Sequence, residues 1–224
     1  MRMKSIFRHE TILFLVVIVA LVILSIQAEQ FATIDNLLNQ GRFLTEVSLV
    51  ALIMTFVIVT GGIDLSVGSI LGLSAIVLGV AWKKLGLPLP LAILVALSVG
   101  TLAGLFNGII ITRFKVPPLI ATLATLALYR GLAEGISQAR SIRGYPEWFF
   151  ILGQGEFFGI PTQLWIVAFF TLLTGFILTY TTWGRATYAI GANETAARFS
   201  GLEATDDAEG LAILVLLRFN TSLR

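Results

Sequence analysis

Six apolar stretches, each free or nearly free of charge, constrain this chain more than any other feature. Thr11–Ala28 contains no charged residue. Val47–Ile63 and Leu65–Trp82 are also uncharged and are separated only by Asp64. Leu85–Thr112 and Phe157–Gly184 are uncharged, and Val116–Ala139 is interrupted by Arg130 and Glu134. A membrane-crossing helix needs roughly 20 mostly apolar residues. The runs are continuously apolar and do not alternate with period two, which favours helices over a barrel. The expected fold is an all-α integral membrane protein, a polytopic bundle of about six transmembrane helices.

Composition agrees. Of 224 residues, 57% are hydrophobic and 12% are charged, against the roughly 25% charged residues of ordinary soluble domains. That balance excludes a soluble enzyme, a disordered chain and a nucleic-acid binder. The chain has no cysteine and one histidine, His9, so thiolate and histidine-cluster metal sites are excluded and no metal or cofactor is expected. Intramembrane proteolysis is disfavoured in the same way. Asp64 is the one aspartate within the apolar runs, and His9 precedes the first of them. No G-x-x-x-x-G-K-[ST] motif is present, so a P-loop for ATP is missing.

The basic start (Arg2, Lys4, Arg8) before an apolar run has the form of a signal peptide. The run is long and no A-x-A site follows, so it reads as a retained first helix. With a cytoplasmic N-terminus, Arg2, Lys4, Arg8, Arg113, Lys115, Arg185 and Arg198 fall inside, and Arg42, Lys83, Lys84, Arg140 and Arg143 fall outside. This is a small positive-inside bias, and Lys83–Lys84 runs against it. Aromatic residues in Tyr145–Phe158 suggest a short interfacial helix outside.

Gly100, Gly104 and Gly108, and likewise Gly68 and Gly72, recur every four residues and suit close helix packing in lipid. Asn107 lies beside the first stripe and needs a hydrogen-bonding partner or a wet cavity. Residues 60–69, TGGIDLSVGS, weaken a helix and offer Asx and Ser turns. They read either as a tight surface loop or as a broken element beside a translocation path, with Asp64 as its fixed polar group. Arg130 and Glu134 share a helix face at i, i+4 and read either as a functional pair in the bundle or as a pair near the interface. After the sixth run, Asn193 is a plausible N-cap, and Glu194 and Arg198 at i, i+4 support a short helix on the cytoplasmic surface, with Ala189–Gly191 loosening the chain before it.

Three motifs in order, GGIDLSVGSILGL, GLFNGIIITRFKVPPLIATLATLALYRGL and GRATYAIGANETAARFSGL, resemble the permease subunit of bacterial ribose-type sugar ABC importers, the family that handles ribose, xylose, rhamnose and autoinducer-2. The match covers most of residues 44–202. The resemblance implies a multi-pass subunit in the bacterial inner membrane with its N-terminus in the cytoplasm. It implies a second permease subunit, a cytoplasmic ATPase subunit docked through a coupling helix, and a periplasmic or extracellular sugar-binding protein. Asp64, Ser66, Asn107, Arg130 and Glu134 would line or shape the path. Gly191, Asn193, Glu194, Ala197 and Gly201 would meet the ATPase. Permeases of this type run on through further spans, so residues 1–202 read as a partial transmembrane domain. Residues 203–224 read as a divergent tail left by a deletion or truncation, which would make transport by this chain alone doubtful. An ion-gradient-driven secondary transporter or channel is the alternative. It would account for a broken helix at Asp64 but not for the third motif.

Overall fold

The computed structural model describes residues 3–199, with side chains from residue 10 onward except those of residues 194, 198 and 199. Gly201 and the tail 203–224 lie outside the described residues. The described chain is helical apart from one small hairpin. The helices are α1 (Met3–Gln27), α2 (Ile34–Val59), α3 (Val67–Lys83), α4 (Leu89–Phe114), α5 (Pro118–Ser137), α6 (Glu147–Gln154), α7 (Thr162–Tyr180), α8 (Thr182–Ala192) and α9 (Glu194–Phe199). Strands β1 (Glu156–Phe157) and β2 (Ile160–Pro161) pair antiparallel between α6 and α7.

Among the described residues, five helices are long and apolar enough to cross a membrane: α1, α2, α4, α5 and α7. The sixth expected span, Leu65–Trp82, becomes the 17-residue α3, about 25 Å long. The shortfall has a local cause. Residues 60–66 leave the helix and take up turns that a full span would have used.

The chain divides into two compact units. The first takes in the chain up to Glu46 together with Trp148–Val167. Here α1 buries none of its apolar stretch Glu10–Gln27, as expected of a helix with lipid or another subunit around it. Gly41 lets α2 approach the Leu164 side chain, and Arg42 pairs with Glu156 at 2.7 Å. The expected interfacial helix is α6, which carries no buried residue and leaves Trp148 and Phe150 exposed. The β1–β2 hairpin was not legible beside it. Phe158 and Gly159 both have positive φ, the signature of a two-residue primed turn.

The second unit takes in Val47–Glu147 together with the chain from Ala168 on. Its core lies between α3, α4 and α5, where Leu73, Ala103 and Tyr129 meet and Ile70, Val77, Val99 and Ala133 pack around them. The buried face of α4 is built largely from small residues (Ala92, Ala96, Ala103, Gly108), which lets helices approach closely where lipid offers no hydrophobic drive. Only part of the glycine pattern serves this packing. Gly100 faces Ser74 of α3, where an added Cβ would come to 3.0 Å from its Oγ, and Gly108 is buried. Gly68, Gly72 and Gly104 have open space where a Cβ would stand, so their expected packing role is not met among the described residues.

Pro117 and Pro118 open α5, with Pro118 at the first helical position, where a missing N–H does no harm. The antiparallel order of α3, α4 and α5 therefore gives this unit two ends. One carries Ser66 and the α4–α5 turn. The other carries the loops after Lys83 and after Ser137.

Candidate functional site

The site begins where α2 stops. Gly61 has φ +83°, its N–H donates to the Ile58 carbonyl at 3.0 Å, and the Gly62 N–H donates to the Val57 carbonyl at 2.9 Å. This pair of bonds is a Schellman motif, and the left-handed Gly61 makes it possible. Thr60 Oγ1 donates back to the Phe56 and Val57 carbonyls, so the end of α2 is satisfied without water.

Asp64 then organises the start of α3. Its Oδ1 accepts from the Ser66 N–H and from Ser66 Oγ, both at 2.7 Å. Ser66 is the N-cap residue, yet its hydroxyl makes no bond to its own helix. The hydroxyl instead joins two elements, donating to Asp64 and accepting from Asn107 Nδ2 of α4 at 2.7 Å. The amide's other end meets α5. Tyr129 Oη lies 3.1 Å from Asn107 Oδ1 and 2.8 Å from the Ala103 carbonyl, so the phenolic proton is shared between them. Ser66, Asn107 and Tyr129 are 0%, 1% and 4% exposed, while Asp64 is half-buried. A buried network whose members are all partnered holds three helices in one register.

This geometry decides between the two readings of residues 60–69. Asn107 stands seven residues before Phe114, the last residue of α4, which is about 10 Å along the axis. Ser66 reaches it there, so the break is inset between helices and is not a loop at their ends. Thr122, four residues into α5, supports the same placement, with Oγ1 at 3.5 Å from the Ile63 carbonyl and 2.8 Å from that of Pro118. Non-helical backbone at such depth is tolerated where protein buries it or a water-filled cavity meets it.

Arg130 and Glu134 are brought together, with Arg130 Nε 3.2 Å from Glu134 Oε1. They do not join the buried network. Their side chains are 74% and 62% exposed, on the side of α5 away from Thr122, Thr125 and Tyr129. Two charges on an outer face of an apolar helix are costly against lipid.

The third motif forms two helices where one was expected. Thr181 caps α8 by accepting from the Gly184 N–H at 3.2 Å. An added Cβ on Gly184 would run into the Ile177 and Leu178 carbonyls, so the turn from α7 needs glycine. Helix α8 continues through Ala189–Gly191, which therefore do not loosen the chain. Asn193 does cap α9, its Oδ1 accepting from the Ala196 N–H at 3.0 Å. Glu194 opens α9, and its side chain lies outside the described residues, as does Gly201. Ala197 is only 4% exposed, so its methyl is covered by the chain itself and cannot be the contact surface expected of it. Gly191 makes the contact that sequence reasoning missed. Its Cα lies so close to the Val59 carbonyl, the last of α2, that a Cβ would overlap it. The end of α8 thus rests on the foot of the break that carries Asp64.

Residues 34–206 match the family described as branched-chain amino acid transport system / permease component. The chain belongs to this permease family. The permease is 37% identical over 193 residues to the ribose import permease protein of Haemophilus influenzae, covering 84% of this chain and 59% of that one. It is 40% identical over 195 residues to the ribose import permease protein of Bacillus subtilis, covering 86% and 60%. It is 35% identical over 180 residues to the L-arabinose transport system permease protein of Escherichia coli, covering 77% and 52%. The chain therefore spans between about half and three fifths of the length of these relatives. No solved structure matches it. Family and helices together make the permease a multi-pass membrane protein.

Proposed function

We propose that this chain is a membrane-spanning subunit of an ATP-driven sugar importer in the bacterial inner membrane. It forms part of the translocation path and docks on a separate ATPase subunit. The relatives' names, ribose import and L-arabinose transport permeases, support a sugar as cargo. The missing P-loop fits a subunit that borrows its ATPase.

The observation that carries this reading is the contact of Gly191 with the Val59 carbonyl. It joins the α8–α9 segment, where an ATPase would push, to the backbone five residues before Asp64. Displacement of α9 reaches the break through α8 without crossing solvent. The Asp64–Ser66–Asn107–Tyr129 network then passes it to α3, α4 and α5. In this arrangement the α9 end and the N-terminus are cytoplasmic. Asp64 and the exposed Arg130–Glu134 pair border the polar path, the pair facing a second permease subunit or the water between the two. A soluble sugar-binding protein delivers the cargo from the other side.

The test is capture of the ATPase subunit by the chain in detergent, with Glu194→Ala as the probe. Loss of capture by a variant with unchanged thermal unfolding supports α9 as the docking element, and undiminished capture removes that role. Uptake by the assembled importer should stop without ATP and survive collapse of ion gradients. Uptake that follows an ion gradient without the ATPase would overturn the importer reading.

A further inference from the structure

At the end of the second unit opposite Ser66, the structure gathers four cations that the chain itself leaves unpaired. Lys83 is the last residue of α3 and Lys84 its C-cap, while Arg140 and Arg143 lie in the loop after α5. All four are exposed. Among the described residues no carboxylate lies within ion-pair distance of any of them, since the ion pairs there are Arg42–Glu156 and Arg130–Glu134. Glu147, at the start of α6, is the next acidic residue along the chain and pairs with none of the four.

The cluster is held together. Lys83 Nζ donates to the Arg143 carbonyl at 2.6 Å, and Lys84 Nζ lies 3.5 Å from the Ile136 carbonyl. The Trp82 and Tyr145 rings stack with centroids 4.9 Å apart. Gly79 lets the loop close on α3, where a Cβ would come to 2.9 Å from Tyr145 Oη and 3.0 Å from Ile142. Loops pinned in this way present their charges with little left to order on binding. Four cations in two short loops also run against the positive-inside bias if this end faces outward, as it does when α9 faces the cytoplasm.

We propose that Lys83, Lys84, Arg140 and Arg143 form the docking rim for an acidic face of the soluble sugar-binding protein. This rests on the importer reading, which supplies both the outward orientation and the partner. All four cations stand at or past the last turns of their helices, at the mouth of the bundle, where a soluble protein meets them. Complementary charge there guides encounter and fixes orientation.

The experiment uses the chain in neutral phosphatidylcholine nanodiscs with its ATPase subunit, titrated with the importer's own soluble binding protein at rising salt. The main variant is R140E/R143E, because neither side chain makes a hydrogen bond or ion pair among the described residues. K84E is the second variant. The expected result is wild-type binding that weakens with salt, and on the order of tenfold weaker binding by R140E/R143E with ATPase capture unchanged. Undiminished, salt-independent binding by both variants overturns the rim and leaves the importer reading standing. Failure of the wild-type chain to bind the soluble protein overturns both. If the variants lose affinity only for phosphatidylglycerol nanodiscs, the rim belongs to lipid and the proposal fails.

Discussion

The Asn107 amide of α4 donates to the Ser66 hydroxyl at 2.7 Å, joining residues 41 apart in sequence at a point where neither is reached by solvent. Removing the amide with Asn107→Ala leaves Ser66 Oγ without a donor and Tyr129 Oη with one acceptor fewer. Hydrogen bonds between membrane helices are worth about 0.6–2 kcal/mol, and an orphaned buried group about 1–3 kcal/mol. Asn107→Ala should therefore destabilise by about 1–3 kcal/mol in a detergent unfolding assay. Ser66→Ala should cost a similar amount, and the double variant clearly less than the sum. Additive effects would mean the two side chains do not act as one network.

Gly61 and Gly62 are neighbours with different duties. Gly61 stands at φ +83° with open space around it, so a methyl there meets no atom but forces an L-residue into the left-handed region. Gly61→Ala should cost about 1–2 kcal/mol by backbone strain alone. Gly61→Asn should recover part of it, because asparagine tolerates that region. Gly62 has no positive φ, and Gly62→Ala should cost less. Equal losses at both positions in urea unfolding would remove the Schellman end of α2 as their cause.

Gly191→Ala tests the link between α8 and the break. The methyl would overlap the Val59 carbonyl, so α8 must shift away from α2. Expected is an assembled importer that still binds its ATPase subunit and hydrolyses ATP but whose uptake falls by about tenfold or more, in line with the loss a small displacement produces at a distant site. Gly191→Ser should behave alike, since its Cβ meets the same oxygen. Coupled hydrolysis and uptake in both variants would show that the contact transmits nothing.

Tyr145 gives an alkaline signature to the outer loop. Burial raises its phenol above the ordinary 10.0, so the folded chain holds the neutral form more tightly than the unfolded chain does. The stability this contributes is complete below the ordinary phenol value and is lost as pH rises through the raised folded value. Wild-type unfolding temperature should therefore fall faster above pH 10 than that of Tyr145→Phe. Parallel curves would place the Tyr145 ring outside the packed loop.

The bundle was legible because lipid demands long uncharged runs, and five of the six runs became helices of spanning length. Asn193 as a cap and Arg130–Glu134 as a pair followed from local spacing alone. What escaped was long-range. Nothing local shows that Ser66 would leave its own helix uncapped to hold Asn107, or that Tyr129 would complete the set. Ala197 was misplaced because a methyl on a charged helix gives no sign of which side is covered. The glycine spacing likewise marks where close approach is possible and cannot say which of Gly68, Gly72, Gly100 and Gly104 is used.

The Arg130–Glu134 pair should matter to transport and hardly at all to stability. Exposed i, i+4 pairs contribute about 0.3–0.5 kcal/mol, so Glu134→Gln should unfold within that margin of the wild type. Against lipid, however, the two charges would be costly, which argues that this face of α5 meets water or a second subunit. The chain has no cysteine, so a single Cys introduced at position 134 is a unique label. A membrane-impermeant thiol reagent should modify Glu134→Cys in the assembled importer, and the rate should change when ATP is added, as the path opens to alternate sides. Leu172→Cys, on an exposed apolar position of α7, should stay unreactive because lipid covers it. Reaction at both positions would mean that solvent reaches the helices generally. Reaction at neither would remove the pair from the path and leave it as a contact buried between subunits.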